Sequence, residues 1–587
     1  MARSTQSNIS ILIISIFFLI GLFKLFHLQI FNGEKYKNIS KNNFLREATV
    51  PSARGVIYDR NGTKISYSKP IVSLYIKSNS IENLKILLEN LKNTIVISEN
   101  RIKNILQSNS KVSVSKRILV KKDLSINEIF EIETNFSNNQ NLELMNDYLR
   151  VYPYKEVGSH FIGHLTSDDK KDKIYGSLFW NRKGAIGIES DKNSELSGVE
   201  GSKFFFVNSL GNEVNVIDEK LTPTYPQKGQ DVHTTIDIEL QKLIYESMES
   251  FNGGVLVTSI ETGEVLAIVS KPGFDPNLFS KPISTNQWKK LKNSKDNLFL
   301  NRVFYVTNPP GSIIKIITGL AGLEEKKVTK DTKFYCPGYT KVGNKRFRCW
   351  LKGGHGNVNL SKALTTSCDV YFYKLGLLLG IDKYSNWLDK FGVGKNISGL
   401  PYIQKKGTIP NRRFIEKSLN GNFYNGDMAN VSIGQGYITL NVLQAHKIIS
   451  LIANKGKFTG FNIYKNVKNN EIDEIKFNQE NLIIIEQGLV GAINDRGGTG
   501  FFARDDGKLA GKTGTAQIIS KDSRLYGKGK FKNHGWFSAY YPYNNPKIAI
   551  TVFAENGESG GKAGGPIIKK IVSFYKQQYI QDNANKF

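Results

Sequence analysis

A run of 23 residues, Ile9 to Phe31, constrains this 587-residue chain more than any other feature. ISILIISIFFLIGLF (Ile9–Phe23) carries no charge, and KLFHLQIF continues it to Phe31. As a helix rising about 1.5 Å per residue it crosses a bilayer core of about 30 Å. Lys24 and His27 stand near its end, where long side chains reach the headgroups. NGEKY follows without a small-x-small cleavage pattern, so the segment reads as an uncleaved anchor at 9–31 behind a short cytoplasmic tail at 1–8. No second stretch has this length and apolarity, which predicts a single span. Arg3 precedes the span, while Lys35, Lys37, Lys41 and Arg46 follow it. A literal positive-inside count would leave the bulk of the chain in the cytoplasm, but long domains cross largely regardless of charge.

The length predicts about four domains, or two or three large ones. Hydrophobic residues make up 40% of the chain, which excludes global disorder. The net charge of +28 favours polyanions, whether nucleic acid, anionic lipid or anionic wall polymer, and does not choose among them. Three cysteines exclude a disulfide-built scaffold. The absence of an internal repeat argues against a solenoid.

Residues 32–225 are rich in Asn, Lys and Ser and hold no convergent cluster of reactive side chains. IVSLYIKS (Ile71–Ser78) and RILVKK (Arg117–Lys122) read as strands, and SIENLKILLENLKN (Ser80–Asn93) as a helix. This region reads as a spacer or docking module. PTYPQKGQ, near 222–230, marks a boundary. Beyond it, DVHTTIDIELQKLIYESM is a strand feeding a helix, and Gly253–Ser270 is a hairpin turning at Glu261-Thr262-Gly263. KLAGKTGTAQII, HGWFSAYYP and KIAITVFAE are three late strands, and Gly565–Tyr579 is a closing helix. Strands at both ends with helices between predict an α+β domain whose sheet is assembled from distant segments.

Three short motifs carry candidate chemistry. Ser312-Ile-Ile-Lys315 is an S-x-x-K, a spacing that recurs at Ser66, Ser108, Ser113, Ser167, Ser559 and Ser573. Only Ser312 follows Asn-Pro-Pro-Gly and opens an apolar run, which puts it in the first turn of a buried helix with Lys315 on the same face. A helix N-terminus favours a developing oxyanion, and a lysine in apolar surroundings can serve as a base. A capping serine and a snorkelling lysine would give the same spacing. Lys512-Thr513-Gly514-Thr515 occurs once, on a predicted strand. Gly514 would admit a substrate backbone, and Lys512 with two hydroxyls suits a carboxylate; an ordinary edge lysine is the alternative. Ser367-Cys368-Asp369 lies at a helical segment and could relay protons near a Ser–Lys pair.

The order S-x-x-K, S-x-D, K-T-G is far more specific than its parts. It resembles the serine β-lactamases and penicillin-binding proteins. The whole chain resembles a class B penicillin-binding protein of the elongation type. Arg54–Gly62 (RGVIYDRNG), Val151-Tyr152-Pro153 through Gly163, Gly187-Ile188-Glu189, Ser432–Gly436 (SIGQG) and Gly535-Trp536-Phe537 carry that likeness. Asp369 stands where the family at large often has Asn, a variant that resembles the penicillin-binding protein 2 branch. Nothing resembles a glycosyltransferase domain. The resemblance implies a pedestal or dimerisation-type domain at 32–225 and a transpeptidase domain at 226–587 with an antiparallel sheet and flanking helices.

Cys336, Cys349, His355 and Cys368 give C-x12-C-x5-H-x12-C. Three Cys and one His satisfy tetrahedral zinc, while one disulfide plus a free thiol is the alternative outside the cell. The resemblance supports a structural zinc, with no cofactor needed for the chemistry. Gly557-Glu558-Ser559-Gly560-Gly561 fits G-x-S-x-G, but no histidine follows it, since the last is His534. An α/β-hydrolase triad therefore fails, and a glycine-rich turn is the better account.

By resemblance, the expected activity is peptidoglycan DD-transpeptidation. Ser312 attacks a D-Ala–D-Ala carbonyl and Lys315 takes its proton. Ser367 and Asp369 help protonate the leaving D-alanine. Lys512, Thr513 and Thr515 hold the terminal carboxylate, and the N–H groups of Ser312 and Thr515 form the oxyanion hole. β-Lactams would acylate Ser312. The substrate polymer lies outside the cytoplasmic membrane, so the catalytic domain is expected in the periplasm. Expected partners are a RodA-type SEDS polymerase and an MreC-like scaffold, with no nucleic acid. A DD-carboxypeptidase, a β-lactam sensor of the same fold and an anchored polyanion-binding protein are the alternatives.

Overall fold

The computed structural model describes the chain apart from residues 1, 38–44, 79, 111–115, 168–181, 208–212, 215–221, 250, 282, 284, 468–471, 520–522, 526 and 581–587. Of the charges flanking the anchor, Lys41 lies outside the described residues. Ala2–Phe26 is one α-helix that runs on through a π-helical turn, His27–Phe31. Among the described residues, Ile11–Phe31 is the one helical span long and apolar enough to cross a membrane, and the rest of the chain buries none of it. That is the behaviour of a single-pass anchor.

The region that follows is built on one long strand, Lys64–Ser78. It pairs antiparallel with Leu142–Val151, from Tyr67 opposite Val151 to Ile76 opposite Leu142, and with Lys116–Lys121 at its far end. Helices Ile81–Lys92, Glu99–Ser108 and Ile126–Phe136 start at Ser80, Ser98 and Ser125, whose hydroxyls each accept a first-turn N–H. In Ile81–Lys92 the buried residues are Leu84, Leu87, Leu88 and Leu91, the three-and-four spacing that directs one helical face inward. They share a core with Leu74 and Ile76 of the long strand.

A buried charge clasp ties the base of this region together. Glu189 receives Arg54 Nε at 2.6 Å and Arg150 Nε at 2.7 Å, with the Tyr152 hydroxyl at 3.2 Å and the Ser66 hydroxyl at 3.3 Å. The same base reaches the C-terminal domain. Val232–His233 pairs in parallel with Ile57–Tyr58, and Gln241 Nε2 donates to the Val157 carbonyl at 3.0 Å.

The C-terminal domain is layered around a five-stranded antiparallel sheet in the order Val265–Lys271, Gly253–Ser259, Ile548–Ala554, His534–Tyr541, Ala510–Ala516. Gly253 lies opposite Ala554, three hundred residues away in sequence, so the expected long-range assembly of the sheet holds. Side-chain alternation divides it into two faces. Val255, Val257, Phe537, Ala539, Ile550 and Val552 face the helices Ile238–Ser247 and Gly560–Tyr575. Leu256, Trp536, Tyr540, Ala549 and Phe553 face the larger helical layer. There the helix Val442–Ala453, buried at every residue, crosses the sheet and sets His446 between the hydroxyls of Thr258 and Thr551. The closing helix begins at Gly560, with Ser559 as its cap, five residues ahead of the sequence expectation. Ala510–Ala516 is left as an edge strand, with one flank open toward the helices.

Burial raises the Glu189 carboxyl, but Arg150 and Arg54 outweigh it and hold the group below its ordinary value. A depressed carboxylate contributes stability above its unfolded pKa of about 4.5 and loses it as pH falls through the folded value. Glu189→Gln leaves two buried guanidiniums without their anion and is expected to cost about 3–5 kcal/mol at pH 7. The thermal midpoint should drop at neutral pH, and the gap from the unsubstituted protein should narrow at acid pH. An unchanged midpoint at pH 7 contradicts this role.

Candidate active site

The segment before Ser312 is shaped by close backbone approach. Gly311 has φ +54°, and a Cβ there would lie 2.5 Å from the Thr515 carbonyl oxygen and 2.8 Å from its nitrogen. Only glycine fits, both for conformation and for space. Its N–H donates to the Gly434 carbonyl at 2.9 Å. Gly311–Ile314 is a short 3-10 turn and the α-helix proper is Lys315–Glu324. Ser312 thus opens the helix through a tighter first turn than the apolar run implied. Three residues separate Ser312 from Lys315, one 3-10 turn, so the pair still shares a face.

Lys315 is fully buried. Its Nζ donates to Asp369 Oδ1 at 2.7 Å, the Ser367 carbonyl at 2.9 Å and Ser367 Oγ at 3.3 Å, and lies 5.4 Å from the Phe372 ring centre. The surroundings are therefore not simply apolar: an ion pair with Asp369 holds the ammonium. All three N–H bonds are engaged on the Ser367–Asp369 side, and among the described residues Ser312 Oγ has no hydrogen-bond partner. Ser367 has φ +52°, a left-handed conformation that costs a non-glycine residue about 1–3 kcal/mol. Both its carbonyl and its hydroxyl meet Lys315. Asp369 opens the helix Asp369–Lys390, where the positive end of the helix dipole favours a carboxylate.

The third motif lies on the edge strand. Thr513 Oγ1 donates to Thr499 Oγ1 at 2.6 Å. Gly514 is opposite Trp536, and the space its missing Cβ leaves is filled by the Pro310 carbonyl oxygen, 2.5 Å away. The glycine therefore first serves the approach of the 310–312 segment, not that of a substrate alone. Lys512 departs from the reading as a cation on the strand edge. The pleat turns it to the helical face, where it is fully buried beside Lys315 and Asp369 and donates to the Thr513 carbonyl at 3.2 Å. Burial, then repulsion from the Lys315 ammonium, pushes Lys512 well below the ordinary lysine range. Two lysine side chains thus share one buried pocket, with one carboxylate, Asp369, between the nucleophile helix and the sheet.

These segments meet around one cleft of about 370 Å³. Ser312, Ser367, Asp369, Thr513, Gly514 and Thr515 all line it, and Lys315 and Lys512 lie beneath. Sequence reading gave no role to several other lining residues. Gln435 Nε2 donates to the Thr515 carbonyl at 2.9 Å, and its Oε1 accepts from Gln517 N–H at 3.3 Å. Trp350 stands on the opposite wall. The signal for Gln435 was present in SIGQG, and that for Trp350 in its place beside Cys349. Ser559, the serine of the rejected G-x-S-x-G, caps the closing helix and also lines the cleft.

Cys336, Cys349, His355 and Cys368 converge behind this wall, with their ligand atoms all within 4.8 Å of one another. All three cysteines are free thiols, so the disulfide alternative is not adopted. His355 Nδ1 lies 3.5 Å from Cys349 Sγ and 3.8 Å from Cys336 Sγ, which makes Nδ1 the candidate ligand atom. The hydrogen bond from Cys368 leads in pushing the Cys349 thiol down to about 3, and the same contact pushes Cys368 up. Three thiols and an imidazole gathered this closely are a compact set of soft donors that fits a metal ion. The cluster touches the dyad directly: Cys368 lies between Ser367 and Asp369, and Trp350 N–H, next to Cys349, donates to Asp369 Oδ2 at 2.9 Å.

A serine at a helix start, a buried lysine behind it and a K-T-G edge strand beside it define a serine acyl-transfer enzyme of the penicillin-binding type. The penicillin-binding protein transpeptidase domain model matches residues 253–573, and the penicillin-binding protein dimerisation domain model matches 49–234. Peptidoglycan D,D-transpeptidase MrdA of Haemophilus influenzae is 31% identical over 583 residues, covering 95% of this chain and 89% of that protein. A complex between penicillin-binding protein PBP2 and MreC from Helicobacter pylori matches with a TM-score of 0.77 at 29% identity, covering 91% of this chain and 99% of that one. A chain from a peptidoglycan synthase complex that coordinates polymerization and crosslinking matches with a TM-score of 0.71 at 25% identity, over 97% and 98% of the two chains. The protein belongs to the penicillin-binding protein transpeptidase family, in its class B, penicillin-binding protein 2 branch.

The coupling of cluster to dyad gives a direct expectation. Cys336→Ser, at the ligand farthest in sequence from Asp369, should remove one equivalent of bound metal and lower the thermal midpoint by about 5 °C or more. Elemental analysis with calorimetry checks this; full metal content with an unchanged midpoint contradicts it.

Proposed function

We propose that this protein cross-links peptidoglycan stem peptides during cell-wall elongation, through an acyl-enzyme on Ser312, and that penicillins acylate the same hydroxyl. The observation that carries the reading is the junction of Ser312, Lys315, Ser367, Asp369 and the 512–515 strand at one cleft.

Ser312 Oγ attacks the D-Ala–D-Ala carbonyl of the donor and loses its proton to Lys315. Lys315 stands with three N–H bonds already donated, so it acts as a base only after releasing a proton, and Asp369 Oδ1 at 2.7 Å is an immediate acceptor. The C–N bond breaks, D-alanine leaves as the amine, and the Lys315–Ser367–Asp369 group returns the proton it needs. The N–H groups of Ser312 and Thr515 would hold the oxyanion; the packing of Gly311 against the Thr515 backbone supports that pairing. Thr513 and Thr515 hydroxyls would hold the terminal carboxylate, with Lys512 beneath them. A carboxylate arriving over Lys512 would raise its proton affinity, against the burial and the Lys315 repulsion that lower it. An acceptor amine from a second strand then attacks the ester carbonyl and frees Ser312.

We assign the cluster to zinc, held by Cys336, Cys349, His355 Nδ1 and Cys368. Zinc would supply structural bonding only. The residues themselves do the positioning, through Cys368 on one side of Asp369 and Trp350 N–H on the other. The polymer lies outside the cytoplasmic membrane, which agrees with a single anchor helix and a periplasmic catalytic domain. Likeness to the MreC-bound relative supports an MreC-like scaffold on the N-terminal region, and likeness to the synthase-complex chain supports a RodA-type polymerase partner.

Ser312→Ala should abolish the covalent adduct with a fluorescent penicillin, and Lys315→Ala should slow its formation by about 100-fold or more. Intact mass and stopped-flow labelling read both. Undiminished labelling of Ser312→Ala would refute the assignment.

A further inference from the structure

The cleft wall opposite the edge strand carries a charge that the chemistry above leaves unused. From Cys336 to Cys368 the sequence holds six Lys and Arg and no Asp or Glu. One of these cations, Arg348, lines the cleft. Among the described residues its side chain makes no ion pair and no hydrogen bond. Asp369, the one carboxylate lining the cleft among the described residues, is taken up on both oxygens, by Lys315 at 2.7 Å and by Trp350 N–H at 2.9 Å.

The base of Arg348 is pinned although its guanidinium has no partner among the described residues. Arg348 closes the hairpin of Tyr339–Val342 with Lys345–Arg348, opposite Tyr339. Its carbonyl accepts the Tyr373 hydroxyl at 3.3 Å, and the next residue is the cluster ligand Cys349, whose N–H donates to Gly338 at 2.8 Å. Trp350, half exposed beside it, is fixed by its indole N–H to the Thr366 carbonyl at 3.0 Å. A planar, always-charged fork on a pinned hairpin, with the Trp350 indole lining the same cleft, suits a carboxylate carried on an extended chain. The surrounding excess of positive charge would draw it in.

We propose that Arg348, with Trp350 packing against the adjoining chain, is a subsite for a second carboxylate of the stem peptide, separate from the terminal one at the edge strand. This rests on the transpeptidase reading and adds to it a side-chain preference: the enzyme selects peptides carrying a free carboxylate over those in which it is an amide. That carboxylate belongs either to the donor peptide or to the amine acceptor.

The test uses the full-length protein in detergent micelles, unsubstituted and as Arg348→Ala and Arg348→Glu. In the donor arm, a D-Ala–D-Ala peptide with an internal carboxylate competes with its amide analogue, and D-alanine release is measured. In the acceptor arm, the acyl-enzyme is partitioned between water and an amine bearing either a carboxylate or its amide. The readout is the carboxylate-to-amide ratio of kcat/KM, which a general loss of activity does not mimic. The unsubstituted protein should prefer the carboxylate by about ten- to hundredfold in one arm, which identifies the source. Arg348→Ala should bring that ratio close to one, and Arg348→Glu should invert it. A ratio near one in both arms for the unsubstituted protein, or a preference kept by Arg348→Ala, overturns the subsite. Failure of the unsubstituted protein to form any penicillin adduct at Ser312 overturns the transpeptidase reading, and the subsite falls with it.

Discussion

The contact between Lys315 and Asp369 fixes the rest of the site. A fully buried ammonium is expensive unless it is paired and hydrogen-bonded. Here the pairing crosses two segments fifty residues apart, the nucleophile helix and the helix beginning at Asp369. The strained backbone at Ser367 is held there because its carbonyl and hydroxyl complete the coordination of the same Nζ. Lys512 arrives from the sheet as a third element. Burial first, and then the cation already in the pocket, disfavours its own ammonium. Three elements of secondary structure are thus joined through a network that cannot relax at one member without exposing an unpaired charge at another.

The Cys/His cluster braces this network from outside. It holds the hairpin wall, and the wall grips Asp369 Oδ2 through Trp350 N–H while Lys315 grips Oδ1. A carboxylate fixed at both oxygens has little freedom to rotate, which keeps Lys315 aimed at the same place between turnovers. Gln435 plays a comparable part on the opposite wall, where its amide meets the Thr515 carbonyl and Gln517 N–H as a neighbouring strand would. The cleft is therefore bounded by one wall tied to the sheet edge and another tied to the cluster.

Much of this was legible in the chain. The hairpin at Gly253–Ser270 and the three late strands follow from short apolar runs, and Ile81–Lys92 from its helical apolar spacing. The three motifs named the residues that gather at the cleft, and the four candidate ligands converge as a set. What the sequence could not yield was direction. Lys512 reads as a strand-edge cation until the pleat is seen to turn it beneath the cleft. Gly514 reads as room for substrate until the Pro310 carbonyl is found in that space. Lys315 reads as a lysine in an apolar helix because its anion lies fifty-four residues away. Arg348 carried no signal and Trp350 only its place beside Cys349, and the folded hairpin puts both on the cleft wall. The Glu189 clasp was invisible for the same reason, since its partners at 54, 66, 150 and 152 meet only in three dimensions.

The most direct check on the central claim is a crystal structure of the protein after reaction with penicillin. The account predicts continuous density from Ser312 Oγ into the opened β-lactam, with its carbonyl oxygen between the Ser312 and Thr515 N–H groups and its carboxylate beside Thr513. A ligand joined to another residue, such as Ser559, which also lines the cleft, or one whose carbonyl oxygen points away from those two N–H groups, would contradict it.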